Sequence, residues 1–336
     1  MEQRTLIHPD RGNNSQASQA SIVGLGTWQL GADWGEVSET DALAVLEASV
    51  EAGVTFFDTA DVYGDGRSEQ LIGRFLKDHP GITVATKMGR RVEQTPENYT
   101  LDNFRAWNDR SPRNLGVDTL DLVQLHCPPS ATIDDDRTYD ALDTMVAEGR
   151  VAAYGVSVET VAQALSAIAR PHVASVQIIL NAFRLKPFEE VVPAAAAAGV
   201  GIIARVPLAS GLLSGKYDRS TRFAENDHRT YNRHGEAFDV GETFSGVDYE
   251  TGLAAAGEFT DLVRELGPAG ATPAQVAIAW LTQQPGVTTV IPGARNVEQA
   301  RANAAAGTLP PLSEELTAGI TRIYDTHLRA SIHPRW

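Results

Sequence analysis

What most constrains this chain is an alternation repeated along its length: a short β-branched run, then a stretch of helical periodicity. The runs at 21–25, 54–57, 82–86, 120–125, 151–156, 173–178, 200–204 and 287–291 read as strands, since each is short, rich in Val, Ile and Leu, and flanked by turn residues. Helical spacing follows them at 39–52, 68–77, 101–115, 134–148, 160–169, 187–198, 272–283 and, after the last strand, 296–305. Such alternation implies an α/β fold with a parallel sheet. Eight strands in 336 residues fit a (β/α)8 TIM barrel, with 1–336 as a single domain, better than an open doubly wound sheet.

Polar residues sharpen that choice. Asp58, Thr59, Lys87, His126, Ser157, Gln177 and Arg205 all fall at or just after the C-terminal end of a strand. A barrel brings those ends together on the face where active sites sit. Taken singly, each has a plainer explanation, because loops begin there and loops are polar.

Two segments stand outside the alternation. Residues 6–20 read as an N-terminal β-hairpin around Asp10-Arg11-Gly12 that caps the bottom of the barrel. Residues 217–257, after the seventh strand, are too long for an ordinary connection. Phe223, Tyr231, Phe238, Phe244 and Tyr249 are too many aromatics for a disordered insertion. A lid is the expectation, with Arg219, Arg222, His228 and Arg229 available to meet phosphate.

The formal net charge of −15 argues against nucleic acid as a partner, which calls for a basic footprint. It leaves an anionic cofactor open, because local charge sets a site. No apolar run is long enough to cross a membrane, and 1–21 lacks the apolar core of a signal peptide. Cys127 is the sole cysteine, so no intrachain disulfide forms. A cytoplasmic enzyme is expected, and a homo-oligomer is left open.

The stretch Phe56-Phe57-Asp58-Thr59-Ala60-Asp61-Val62-Tyr63-Gly64 carries the most chemistry. A phenol of pKa about 10 is a poor acid at neutral pH, but a nearby ammonium favours the phenolate and lowers that value. Lys87 could supply the ammonium, Asp58 could hold Lys87, and His126 could hydrogen-bond a substrate oxygen. Together they suffice to protonate a carbonyl. Individually, Tyr63 could be a packed loop aromatic, Lys87 a surface charge, and His126 a satisfied strand-end histidine.

These residues sit in recognisable motifs. Gly53-Val54-Thr55-Phe56-Phe57-Asp58-Thr59-Ala60 with Tyr63-Gly64 and Ser68-Glu69, and then Leu120-Asp121-Leu122-Val123-Gln124-Leu125-His126, resemble the two signatures of the aldo-keto reductase superfamily. The likeness runs from Gly24 to Asn303 and is to the longer bacterial members, similar to the potassium-channel beta-subunit-like branch. It implies a catalytic tetrad of Asp58, Tyr63, Lys87 and His126 with Tyr63 as general acid, and an NADP-dependent oxidoreductase that reduces an aldehyde or ketone to an alcohol. NADPH is then the cofactor and a small-molecule carbonyl compound the substrate. The alternative is a cofactor-binding regulatory or scaffold protein with slow turnover.

By the same resemblance, Ser157 and Gln177 hold the nicotinamide carboxamide. The run Val206-Pro207-Leu208-Ala209-Ser210-Gly211-Leu212-Leu213-Ser214-Gly215-Lys216 is the pyrophosphate belt, with Pro207, Leu208, Ser210, Gly211 and Lys216 in contact. Gly293 and Arg295 open the last barrel helix beneath a 2′-phosphate, where a helix N-terminus and a guanidinium both favour the anion. Gln299 and Asn303, four apart, could bond adenine. Three positions depart from the family pattern. Val158 replaces an asparagine, Ala302 replaces a glutamate, and Arg205 stands where an aromatic stacks on the nicotinamide, so that it either stacks by its guanidinium or meets the substrate. Trp28 and Trp34 are expected in the substrate pocket, and aromatic walls suit sugars, aryl aldehydes and polyketides alike.

Other signals carry less. Gly24-Leu25-Gly26 lacks the third glycine of a dinucleotide fingerprint, and the run 211–216 is too short for a phosphate loop. No metal is expected: Cys127 has no second cysteine or paired-histidine spacing and reads as a buried neutral thiol.

Overall fold

The computed structural model describes residues 1–11, 18–31, 37–225, 227–237 and 239–336. Gly12, Trp34 and Phe238 lie outside the described residues. The chain opens with an antiparallel hairpin, β1 (Gln3–Ile7) and β2 (Ser18–Ser21). Eight parallel strands follow in sequence order: β3 (Leu25–Gly26), β4 (Phe56–Asp58), β5 (Thr83–Met88), β6 (Leu122–His126), β7 (Tyr154–Ser157), β8 (Val173–Ile179), β9 (Gly201–Arg205) and β10 (Thr289–Val290). Parallel bridges Val23↔Val290 and Gly26↔Gly293 bring the last strand back to the first and close the expected (β/α)8 barrel.

The hairpin lies against the bottom of this barrel. Its Leu6, Ile7 and Ala20 join Phe56, Ala85, Leu122, Ala153, Ala174, Ile203 and Ile291 in one buried cluster. Arg11 ties it down through Nη2 to Ala198 O at 2.7 Å and Nη1 to Arg170 O at 2.8 Å. Capping the helix-bearing strands in this way removes apolar surface that the short strands leave open.

The strands end later than the apolar runs suggested. Asp58, His126, Ser157 and Arg205 are the last residues of their strands, Lys87 is next to last in β5, and Gln177 lies inside β8. Backbone pairing continues past the last apolar side chain, as in His126↔Ser157 and Ser157↔Gln177. The expected 101–115 helix is two, Leu101–Asn108 and Arg110–Leu115. Pro112 accounts for the break: it cannot donate to Asn108 O, and its ring crowds that carbonyl.

The segment after β9 is shorter than expected. Its last part is the start of a helix, Tyr249–Leu266, capped by Asp248, whose carboxylate accepts from Thr251 N at 3.1 Å. Gly252 and Gly257 weaken helix propensity there and hid it in the sequence. A further helix, Glu314–His327, packs against it. Among the described residues no helix is long and apolar enough to cross a membrane.

Candidate active site

Strand register carries the reacting groups to one point. Asp58 ends β4, and in the neighbouring strands Lys87 pairs with Gln124 across β5 and β6. Asp58 Oδ1 lies 2.5 Å from Lys87 Nζ, which also donates to Thr59 O at 2.8 Å and reaches the Tyr63 hydroxyl at 3.4 Å. The second carboxylate oxygen of Asp58 accepts from Gln177 Nε2 at 2.7 Å and Gln124 Nε2 at 3.0 Å. The Asp58 carboxylate is thereby held from both sides, as a buried charge requires. Tyr63 stands on a 3-10 turn after β4, its ring stacked on Trp28 at 5.9 Å and edge-on to His126 at 6.1 Å.

The electrostatics differ in one respect from the sequence expectation. Burial pushes the Tyr63 hydroxyl above its ordinary pKa of 10.0, and this outweighs the downward pull of Lys87. The phenol therefore keeps its proton at neutral pH. Burial also works against the Lys87 ammonium, but Asp58 and Tyr63 more than compensate, so its pKa is raised. His126 is pushed well below 6.5, by burial first and then by Arg90, Lys87 and Arg205, which leaves a neutral imidazole. Cys127 is half-buried instead of buried as expected, and desolvation raises its thiol to about 12, so the thiol is neutral.

Above the strand ends lies a cavity of about 490 Å³. Asp58, Tyr63, His126 and Trp28 line one end of it, with Ser157, Gln177 and Arg205 beside them. Lys87 sits behind them, 1% exposed. Pro207, Leu208, Ser210, Gly211 and Lys216 continue the wall, and Gly293, Arg295, Gln299 and Asn303 complete it. Every expected site residue within the described residues thus gathers at this one cavity, while Trp34 falls outside them.

Several of these side chains are already engaged. Gln177 spends its amide protons on Asp58 and Gln124 Oε1. The Ser210 hydroxyl donates to Glu242 O at 2.9 Å and accepts from Phe244 N at 3.0 Å. Gln299 Oε1 accepts from Arg295 N at 2.9 Å, and Asn303 Nδ2 donates to Gly293 O at 3.1 Å, so both brace the loop before the helix Val297–Ala306. Lys216 and Arg295 are different: both are exposed, and neither pairs with a carboxylate among the described residues.

The belt has an unusual backbone. Val206, Ala209, Ser210 and Gly211 have φ of 53°, 48°, 57° and 101°. The turn closes on itself, Ala209 N donating to Val206 O at 3.1 Å and Gly211 N to Leu208 O at 2.8 Å. Gly211 has a second reason to be glycine, since a Cβ there would overlap the Tyr217 hydroxyl.

The segment after the belt contributes less to the cavity than its charges suggested. Arg219 pairs with Glu250 at 2.8 Å, and Arg222 donates to the Arg219 and Thr221 carbonyls, both away from the pocket. Phe223 packs on Tyr217, Phe244 and Tyr249 instead of closing over a ligand, and Tyr231 is exposed. Arg229 does line the cavity, paired with Asp227 at 2.5 Å and donating to the Tyr217 hydroxyl. His228 packs on Trp28 at 5.3 Å.

Sequence reasoning missed Gln124, Arg90, Glu159 and Glu242. Gln124 lies inside an apolar run, although strand alternation puts it on the same face as His126. Glu242 and Glu159 meet Arg205 at 2.6 and 3.3 Å, and nothing local in the sequence announces that contact. With Cys127 the two glutamates also place their ligand atoms within 4.8 Å of one another, but the Arg205 guanidinium already sits among them, 3.7 Å from the sulfur.

Comparison with known proteins then decides the family. The model of the Aldo/keto reductase family matches residues 22–325. The chain belongs to the aldo/keto reductase family. An uncharacterised oxidoreductase of Mycobacterium tuberculosis is 32% identical over 307 residues, 86% of this chain and 84% of its own. An aldo-keto reductase of Strobilurus tenacellus is 32% identical over 321 residues, 90% and 88% of the two chains. Among solved structures, the glycerol dehydrogenase of Gluconobacter oxydans superposes with a TM-score of 0.75 at 27% identity, covering 96% of this chain and 97% of that one. The holo form of a Bacillus halodurans aldo-keto reductase gives 0.72 at 27% identity, covering 97% and 99%. This aldo/keto reductase is accordingly an oxidoreductase on the barrel that its relatives share.

Proposed function

We propose that this aldo/keto reductase reduces an aldehyde or ketone to an alcohol with NADPH. The observation that carries the proposal is the division of one cavity: the proton-donating cluster of Asp58, Lys87, Tyr63 and His126 at one end, and at the other the exposed Lys216 and Arg295, which pair with no carboxylate among the described residues. The solved holo relative from Bacillus halodurans supports a cofactor in this family's cavity. A Klebsiella pneumoniae protein of the same fold, at 23% identity, was solved with NADPH.

The residues fit the cofactor. Lys216 and Arg295 are anion receptors, and Arg295 next to a helix N-terminus suits a 2′-phosphate. Gln299 Nε2 and Asn303 Oδ1 are the ends of those amides left for a base. Ser157 takes the carboxamide, with Gln177 held beside it. Arg205 stands beside the nicotinamide position, its Nη1 and Nη2 held by Glu242, Glu159 and Val158 O while its Nε has no partner among the described residues.

Bound NADPH supplies the hydride. His126 directs a neutral N–H at the carbonyl oxygen and orients it. Tyr63 donates its hydroxyl proton to that oxygen as the alcohol forms. Lys87, held by Asp58, stabilises the phenolate left behind until solvent returns the proton. Gln124 and Gln177 fix Asp58. Trp28 forms the wall against which the substrate packs.

The test is steady-state absorbance of NADPH with a panel of small aldehydes and ketones. Sustained, enzyme-dependent oxidation is the expected result. Tight NADPH binding with no turnover on any of them would contradict the proposal.

A further inference from the structure

Arg205 is buried at the reacting end of the cavity, and its two terminal nitrogens meet different partners. Nη1 meets Glu242 Oε1 at 2.6 Å. Nη2 donates to Val158 O at 3.1 Å and to Glu159 at 3.3 Å. Glu242 is not on the barrel. It belongs to the segment after the belt, and that segment is fastened at this point with some care.

The fastening begins at the belt, where the Ser210 hydroxyl bonds Glu242 O and Phe244 N. On the far side, Arg184 is fully buried with its guanidinium 3.9 Å over the ring of Trp336. Arg184 Nη2 donates to Glu159 O at 2.5 Å. Gly241 passes between these groups, and a Cβ on it would overlap Arg184 Nη1 and come within 3.0 Å of the Trp336 ring. A single buried arginine therefore holds the backbone of Glu159 by a hydrogen bond and packs against Gly241, the residue before Glu242.

The two carboxylates are not equivalent. Burial works against both, but Arg205 and Arg90 hold Glu242 below the usual range, whereas burial and the neighbouring Glu242 push Glu159 up. Glu242 is the dependable counter-charge.

We infer that Glu242 is a positioning residue that fixes Arg205 against the nicotinamide site and neutralises it, thereby setting the balance between oxidised and reduced cofactor. The inference rests on the proposed NADPH site. Its logic is electrostatic. The oxidised nicotinamide ring carries a positive charge and the reduced ring does not. An uncompensated guanidinium beside it disfavours only the oxidised form, and the Glu242 carboxylate cancels that discrimination. A segment outside the barrel would then control how readily oxidised cofactor is released.

The test measures Kd for NADP+ and NADPH by fluorescence titration on wild type, Glu242→Gln and Glu242→Asp, each checked for folding by thermal melting. Glu242→Gln keeps the shape and a hydrogen-bonding side chain but removes the charge. The ratio Kd(NADP+)/Kd(NADPH) should rise roughly ten-fold, the order expected for one charge removed from a buried site of effective dielectric about 20. Glu242→Asp should leave the ratio within about two-fold of wild type even where both affinities fall. A purely structural role for Glu242 would weaken both cofactors in parallel. An unchanged ratio in folded Glu242→Gln overturns this inference and leaves the NADPH site standing. Failure of wild type to bind either cofactor overturns the site itself, and the inference with it.

Discussion

The two ends of the cavity are built on different principles. At the reacting end the charges of Asp58, Lys87 and Arg205 stand on barrel strands, are buried and have partners: Asp58 with Lys87, and Arg205 with Glu242 from the segment after the belt. At the far end Lys216 and Arg295 come from loops, stand exposed, and meet no carboxylate among the described residues. Burial explains the contrast. An unpaired charge among strand ends would cost several kcal/mol, so the reacting end must be complete before a ligand arrives. An exposed cation costs little to leave open and is ready for an anion. One end is preorganised for a reaction, the other for capture.

The largest effect that would sharpen this contrast comes from Tyr63→Phe. Removing the hydroxyl should lower kcat by roughly 10²–10⁴-fold while NADPH affinity stays within a few-fold. A variant with more than half the wild-type rate would break the assignment. The wild-type rate should also be level through neutral pH. Burial raises the phenol above 10.0, so its proton persists across that range and is lost only as pH climbs past the raised value.

Next in size is Arg295→Ala. A charged hydrogen bond to phosphate is worth about 1.5–3 kcal/mol, so NADPH affinity should fall roughly ten- to a hundred-fold. NADH, without the 2′-phosphate, should be little affected. Equal weakening of both cofactors in a titration would remove Arg295 from the 2′-phosphate.

The smallest effect tests the segment between the two ends. Amide exchange from Tyr217 to Tyr231 should slow on NADPH binding, because Tyr217 lies over Gly211 and Arg229 lines the cavity. Slowing confined to the Lys216 and Gln299 regions would mean that this segment does not close on the cofactor.

The contrast also explains what the sequence made legible. Asp58, Lys87 and His126 stood out because a polar residue at the end of an apolar strand has few other reasons to be there. The strands themselves were readable, but their last residues were not, because pairing runs on beneath polar side chains. Gln124 was readable in principle from the alternation that His126 obeys. Glu242 was not, since its partner Arg205 is distant in sequence and its own surroundings have no period. The helix Glu314–His327 carried a usable signal that was overlooked: Ser313 ahead of paired glutamates, with its side chain accepting from Leu316 N. The cofactor end was legible only through motifs, because backbone curvature at Ala209 and Ser210 leaves little trace in residue type.

Single-turnover oxidation of NADPH, followed across cofactor concentration for wild type, Tyr63→Phe and Arg295→Ala with one reducible aldehyde, tests the division of the cavity most directly. Saturating NADPH should restore the Arg295→Ala rate to near the wild-type value, because only capture is impaired. The Tyr63→Phe rate should stay low at every concentration, because the proton is missing. An Arg295→Ala rate that remains depressed at saturation, or a Tyr63→Phe rate that recovers, would contradict the account.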